Sequence, residues 1–332
     1  MAGYKVAVVG ATGAVGRTVV RVLREREFPV SELRLFATSR SAGSAVQYGD
    51  VQVEVMEMKM GDIAGADFAF FCATGDVSKE YAPGLASSGT VVIDKSSFFR
   101  MSPSVPLVVP EVNRHHLAGH RGIVASPNCS TIQLVVAMKP VHEMSRIKRL
   151  VVSSYQSVSG TGLDAIEELI SQSKTSLDGG IVSPRVYPRQ IAFNVLPHID
   201  SFDPSGYTGE EMKMVNETRK IFDEPGMRIT ATTVRVPVIH CHSEAVTVET
   251  EAPLDLDGVL DSLGRAPGVV LAREPGSYHT AVECSGRDEV FVSRVRKDLA
   301  FDNGISMWVV ADNLRKGAAT NAVQIAECLA GR

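Results

Sequence analysis

The sequence predicts an α/β protein in two parts. A first domain carries a parallel sheet with helices between its strands, and a second, α+β domain carries a mostly antiparallel sheet. Three observations lead there. Short apolar runs alternate with amphipathic stretches over the first part of the chain. A glycine-rich turn follows the first run and opens a helical stretch. Past residue 129 and its helix, hydroxyl-rich strands replace the continuous apolar ones. At 332 residues the chain has room for both domains and a substantial core.

Residues 5–9 are Lys-Val-Ala-Val-Val, as expected of a strand buried on both faces. They run into Gly10-Ala-Thr-Gly13-Ala-Val-Gly16 and then a stretch with apolar residues at helical spacing. Strand, glycine turn and helix start together make a phosphate cradle, because backbone amides there approach an anion closely. The spacing G-x-x-G-x-x-G departs from the G-x-G-x-x-G fingerprint, and a merely tight turn is the alternative. Its position after a strand and before a helix favours a Rossmann-type nucleotide site. The second strand, 33–38, ends without the carboxylate that bonds the ribose hydroxyls of NAD. Ser39-Arg40-Ser41 stands there instead, and Arg40 can pair with a 2′-phosphate, which favours NADP over a merely solvated loop arginine. Strands at 51–56 and 67–74, a helix at 78–88 and a strand at 90–94 continue the alternation. The loops at Thr74-Gly75 and 95–97 follow strand ends, where ligands of such sheets bind. Arg100 reads equally as a surface charge or a phosphate clamp.

Cys129 lies between the strand-like 122–124 and a helix beginning near Thr131, so it sits close to the positive end of a helix dipole. That environment favours the nucleophilic thiolate, although a small buried residue at a helix start would look the same. A strand at 149–156 and a helix at 163–176 follow. Residues 182–204, with four prolines and little periodicity, read as a long ordered loop or a dimer-facing excursion. Thr208-Gly-Glu-Glu211 is a capping-box signature opening a helix over 210–222, on which Glu210 and Lys213 share a face. Read alone, that pair is a solvated ion pair. Strands are expected at 229–238, 243–250, 287–295 and 305–311. His240 and His242 would share a strand face, yet no third ligand has suitable spacing, so no metal site is predicted. A last helix after Asn313 is expected to return to the first domain. The expected division is therefore 1–128 with 311–332 for the nucleotide-binding domain, and 129–310 for the catalytic and dimerisation domain.

Five widely spaced cysteines without a Cys-x-x-Cys pair argue against a disulfide framework or a structural zinc. Net charge is −4 with no basic block, which gives nucleic acid nothing to bind. No apolar run approaches a membrane span. The Met-Ala-Gly-Tyr-Lys start has no signal-peptide architecture, so a reduced cytoplasmic setting is expected.

Taken together, several motifs resemble the aspartate-semialdehyde dehydrogenase family nearly end to end. They are Gly10-Ala-Thr-Gly-Ala-Val-Gly16, Ser39-Arg-Ser41, Ser96-Ser-Phe-Phe-Arg100, Ser126-Pro-Asn-Cys-Ser-Thr131 and Gln156-Ser-Val-Ser-Gly160. Glu210-Glu-Met-Lys213, Arg235-Val-Pro-Val-Ile-His-Cys-His-Ser243 and Asp312-Asn-Leu-Arg-Lys-Gly-Ala-Ala319 complete the set. The resemblance implies reversible NADPH-dependent reduction of L-aspartyl 4-phosphate to L-aspartate 4-semialdehyde and phosphate, towards lysine, threonine and methionine. It implies Cys129 as the acyl-carrying nucleophile, His242 as acid–base near its ordinary pKa of about 6.5, and Gln156 orienting substrate. Arg235 would bind the α-carboxylate, Glu210 the ammonium group, and Arg100, Asn128 and Lys213 the phosphate. Cofactor contacts would come from Gly10, Thr12, Gly13, Ala14, Val15, Ser39, Arg40, Ser41, Thr74, Ser159, Gly160 and Asn313. A homodimer is implied as well.

Three alternatives remain at this point. N-acetyl-glutamyl-phosphate reductase shares the chemistry, but its acylated amine has no use for Glu210. A cysteine hydrolase would leave the glycine turn and Arg40 without purpose. An inactive NADP-binding homologue is at odds with the presence of Cys129.

Overall fold

The computed structural model describes residues 3–332; Met1 and Ala2, where the Met-Ala-Gly-Tyr-Lys run and the first predicted domain begin, lie outside the described residues. The chain divides into two units. One contains the residues up to Asn128 together with Ala318–Arg332, the other Cys129–Gly317.

The first unit runs β1 (Tyr4–Val9), α1 (Ala14–Glu25), β2 (Val30–Ala37), β3 (Ala45–Tyr48), β4 (Val51–Glu57), α2 (Met60–Ile63), β5 (Phe68–Phe71), α3 (Gly75–Ser87), β6 (Val91–Asp94), α4 (Pro110–Asn113) and β7 (Ile123–Ala125). Its seven-stranded sheet has the order β3-β4-β2-β1-β5-β6-β7. All neighbours are parallel except β3, which pairs antiparallel with β4. The apolar run of β1 is divided between two cores: Val6 and Val8 pack on one face, Ala7 and Val9 on the other. A central strand covered on both sides needs that composition. Glycine is required at two points of the turn after β1. Gly10 has φ +81°, and a Cβ there would lie 2.5 Å from the Cys72 carbonyl oxygen. A Cβ on Gly16 would lie 2.2 Å from the Gly10 carbonyl oxygen.

The second unit runs α5 (Cys129–Met144), β8 (Ile147–Gln156), α6 (Leu163–Leu177), α7 (Gly209–Ile221), β9 (Arg228–Arg235), β10 (His242–Thr250), α8 (Leu256–Arg265), β11 (Val269–Leu271), α9 (Ala281–Cys284), β12 (Val290–Lys297) and β13 (Gly304–Ala311). Its six strands lie in the order β11-β12-β13-β10-β8-β9. The β8–β9 and β11–β12 pairs are parallel and the three between them antiparallel. Helix α5 packs on the sheet with α7 and α8 beside it. The capping box forms as read: Thr208 Oγ1 accepts from the Glu211 N–H, and the Glu211 carboxylate accepts from the Thr208 N–H.

Several boundaries differ from the sequence reading. β3, β11 and α8 were not predicted; β3 and β11 are too short to show a period, and α8 opens with Asp255, whose carboxylate caps the Gly258 N–H. Helix α3 starts at Gly75, so β5 ends at Phe71 instead of running to residue 74. β9 stops at Arg235, two residues before Pro237, which has no N–H for a ladder. The predicted boundary at 311 also moves. β13 pairs with both β10 and β12, and Asp312 accepts from the backbone of Leu314, Arg315 and Gly286, which keeps the chain in the second unit up to Gly317. A π-helical turn, Arg315–Thr320, then leads to α10 (Asn321–Leu329), whose Ala322, Val323, Ile325 and Ala326 join the core of the first unit.

Candidate active site

In the second unit Cys129 is the first residue of α5, where the backbone N–H groups have no intrahelical partner and favour a thiolate. The His242 ring, on the first residue of β10, places Nε2 3.2 Å from Cys129 Sγ. On its other side the Ser157 N–H donates to Nδ1 over 3.0 Å. A backbone N–H can only donate, so Nδ1 is an acceptor and the neutral ring holds its proton on Nε2, facing the sulfur. The ring is fully buried, and this burial, with the nearby Arg235 charge, pushes its pKa down to about 3. The ordinary value expected from sequence does not hold in this environment, since both effects penalise the imidazolium. Among the other cysteines, burial pushes the thiols of Cys72 and Cys284 up to about 12 and that of Cys241 up as well.

Asn313 holds the support of His242 together. Its Oδ1 accepts from Ser157 Oγ (3.0 Å), Ser159 Oγ (3.2 Å) and the Cys241 N–H (3.0 Å). Its Nδ2 donates to Ser159 Oγ. The two predicted cofactor contacts Ser159 and Asn313 are thus bonded to each other. His240, by contrast, shares no strand face with His242. It lies ahead of β10, and Cys241 between them has φ +71°, which turns the chain.

The predicted substrate residues of this unit form a second group. Gln156 Nε2 donates to Ser130 Oγ (2.8 Å) and to Glu210 Oε1 (3.3 Å). Lys213 Nζ lies 3.3 Å from Glu210 Oε2 and 2.8 Å from Asp200 Oδ2. Burial opposes the Lys213 charge, but the two carboxylates outweigh it and hold its pKa above the ordinary value. Arg235 Nη1 donates to the Ser157 carbonyl over 2.7 Å. Gly160 faces both groups: a Cβ there would lie 3.2 Å from Arg235 Nη1 and 3.3 Å from His242 Nε2. Cys129, Gln156, Glu210, Lys213, Arg235, His242 and Gly160 are therefore joined by direct or single-residue contacts.

Sequence reading missed Ser157, Asp200 and Glu244. Glu244 follows His242 by two residues on β10 and so faces the same side. It is fully buried beside the Gln133 side chain of α5, which offsets only part of the cost of burying a charge. Burial raises its pKa well above the usual range, leaving a neutral acid. The signal was available: an acidic residue occupies an inward position of a strand that otherwise reads Val-x-Val.

In the first unit, the turn at Gly10, Thr12, Gly13, Ala14 and Val15 leads into α1, with Gly13 exposed at the N-cap position. Ser39 and Arg40 are exposed beyond the end of β2, Ser41 is half-buried, and Arg40 makes no hydrogen bond or ion pair among the described residues. Thr74 is the exposed N-cap of α3. An open glycine turn at a helix start and an uncommitted arginine after β2 fit a dinucleotide with a 2′-phosphate. At the ends of β6 and β7, Arg100 Nη2 donates to the Lys95 carbonyl (2.8 Å), and Lys95 Nζ to the carbonyl of Pro127, beside Asn128 (2.9 Å).

The chain resembles known proteins over nearly its whole length. The family model described as semialdehyde dehydrogenase, NAD binding domain, matches residues 5–120, and that described as semialdehyde dehydrogenase, dimerisation domain, matches 138–316. An aspartate-semialdehyde dehydrogenase of Aquifex aeolicus is 52% identical over 98% of each chain. One from Legionella pneumophila is 51% identical over 98% of this chain and 95% of its own. Among solved structures, aspartate semialdehyde dehydrogenase II of Vibrio cholerae complexed with ASA superposes with a TM-score of 0.96 at 47% identity, covering 99% of this chain and 98% of its own. The Candida albicans enzyme with NADP gives a TM-score of 0.77 at 25% identity, covering 99% of this chain and 98% of its own. The chain belongs to the aspartate-semialdehyde dehydrogenase family.

Proposed function

We propose that this protein catalyses the reversible, NADPH-dependent reductive dephosphorylation of L-aspartyl 4-phosphate to L-aspartate 4-semialdehyde through a thioester on Cys129. The observation that carries the reading is Cys129 Sγ at 3.2 Å from a His242 Nε2 that bears the ring proton. In that tautomer His242 is a donor. It stabilises the thiolate by hydrogen bonding, and the helix start adds to this. Attack of the thiolate on the acyl carbon expels phosphate. NADPH supplies the hydride that reduces the thioester carbon. The Nε2–H then donates a hydrogen bond to the tetrahedral oxyanion formed at that carbon, which collapses to the aldehyde and expels the Cys129 thiolate, with His242 neutral throughout.

The other side chains take roles suited to their chemistry. Arg235 offers a planar fork to the α-carboxylate. Glu210, already beside Lys213, accepts from the substrate ammonium group, and Gln156 orients the acyl group. Arg100, Asn128 and Lys213 are assigned to the phosphate. Gly10, Thr12, Gly13, Ala14, Val15, Ser39, Arg40, Ser41, Thr74 and Gly160 are assigned to NADP, with Arg40 reading the 2′-phosphate. Asn313 and Ser159 belong to the same set, but the Asn313 carbonyl oxygen is filled, leaving only its Nδ2 for a ligand. No helix among the described residues is long and apolar enough to cross a membrane, and we place the working form, a homodimer of small-molecule function, in the cytoplasm.

The deciding experiment is reduction of NADP by purified protein with aspartate semialdehyde and inorganic phosphate, set beside N-acetyl-glutamate semialdehyde. Phosphate-dependent turnover of the first is expected. Turnover of only the acetylated substrate would overturn the reading, because Glu210 would then have no ammonium group to meet.

A further inference from the structure

The segment between α6 and α7 contains no helix or regular strand, yet one part of it is pinned. Glu168 and Gln172 stand one turn apart on α6, both at least nine-tenths buried. Glu168 Oε2 accepts from the N–H groups of Arg185 (2.9 Å) and Val186 (2.6 Å). Its Oε1 accepts from the Tyr187 N–H (3.4 Å) and from Gln172 Nε2 (3.0 Å). Gln172 Oε1 accepts from the N–H groups of Ile191 (2.9 Å) and Ala192 (3.2 Å). Five backbone donors of one loop are thus gathered on two adjacent side chains, which replaces a strand partner for that stretch.

Tyr187 stands in the middle of the pinned stretch. Its hydroxyl meets Thr161 Oγ1 at 2.9 Å, and the Arg235 guanidinium carbon lies 5.9 Å from its ring centroid. Arg235 is fixed elsewhere by the Ser157 carbonyl at Nη1 and, through its backbone, by two hydrogen bonds with Leu196 of the same loop. Its Nε is buried without a hydrogen-bond partner among the described residues.

We propose that Glu168 and Gln172 form a buried clamp that holds Tyr187 against the Arg235 guanidinium, fixing the angle at which Arg235 meets the substrate α-carboxylate. Glu168 is then a positioning residue for substrate, acting through Tyr187, over a loop that sequence alone leaves featureless. The inference rests on the reading of Arg235 as the carboxylate ligand. A planar fork binds a carboxylate bidentately only at one orientation, so a loosened ring costs affinity for that group in particular.

The test compares Glu168→Gln, Glu168→Asp, Tyr187→Leu and Arg235→Lys in the full-length enzyme. Steady-state constants would be measured for aspartate semialdehyde, phosphate and NADP, and for 3-aminopropanal, which lacks the carboxylate. Glu168→Gln places an amide where two or more N–H groups converge, and Tyr187→Leu removes the ring while leaving the clamp. Both are expected to raise KM for aspartate semialdehyde by roughly tenfold, with kcat and the KM values for NADP and phosphate unchanged. Their preference for aspartate semialdehyde over 3-aminopropanal should fall by the same factor, and Glu168→Asp should recover part of it. Equal losses for every substrate, or no change in preference, would overturn the clamp as a positioning device. Should Glu168→Gln not fold, Tyr187→Leu decides alone. Arg235→Lys separates the two ideas: no change in KM there sinks the carboxylate reading itself, whereas a raised KM there with unchanged Tyr187→Leu sinks only the clamp.

Discussion

His242 meets solvent on no side, and its charge state is set by what surrounds it. Burial and Arg235 take its pKa from 6.5 to about 3. Between those values the unfolded chain binds a proton that the folded protein refuses, so this residue makes stability fall as pH drops through that window. Denaturant midpoints measured from pH 7 to pH 4 should fall less steeply in His242→Gln than in the parent. At the sulfur, Cys129→Ala should abolish turnover while leaving NADP binding nearly intact, as checked by fluorescence titration of NADPH. Gly160→Ala tests the space between the groups: its methyl would press on both Arg235 and His242. A loss of kcat/KM of roughly tenfold to a hundredfold is expected, with little change in melting temperature. The pairing of Cys129 with His242 was legible because cysteine and histidine are distinctive residue types at motif positions. Ser157 was not, because its contribution is a backbone N–H, which every residue but proline possesses.

At the scale of elements, β10 carries two unlike buried residues on one face, His242 and Glu244. A carboxyl that stays neutral when folded, but ionises above about 4.5 when unfolded, makes stability decline as pH rises beyond that value. Glu244→Gln keeps the shape and removes the titration, so it should raise the denaturation midpoint at pH 8 and have less effect at pH 4. The loop after β2 offers a separate test. Arg40→Ala should raise KM for NADP at least tenfold while barely changing that for NAD, since only NADP has the 2′-phosphate; equal losses would remove Arg40 from that role. Strands such as β1 and β10 were readable because their burial demands a composition. β3 and β11, of four and three residues, were not, since such short pieces owe their form to neighbours already in the sheet. The early end of β9 and the turn that leaves His240 ahead of β10 came from Pro237 and from the left-handed Cys241, a conformation that its residue type does not announce.

For the molecule as a whole, the first unit is not continuous in sequence. The core of the first unit takes Ala319, Ala322, Val323, Ile325 and Ala326 from the last fifteen residues of the chain. Asn321 adds hydrogen bonds to the Val108 carbonyl and Ser126 Oγ, and Glu327 pairs with Arg26. Deleting 318–332 should therefore abolish NADPH binding and expose apolar surface to a reporter dye, even though every residue assigned to the cofactor remains. This has a consequence for birth at the ribosome. The second unit is one uninterrupted stretch and can close as soon as Gly317 emerges. The first, although made earlier, must wait for the final helix, and at about 5–20 residues per second that wait from Asn128 is roughly 10–40 s. During that interval the glycine turn and its sheet are unfinished, so nascent chains are vulnerable to chaperone capture or proteolysis at their beginning rather than at their end.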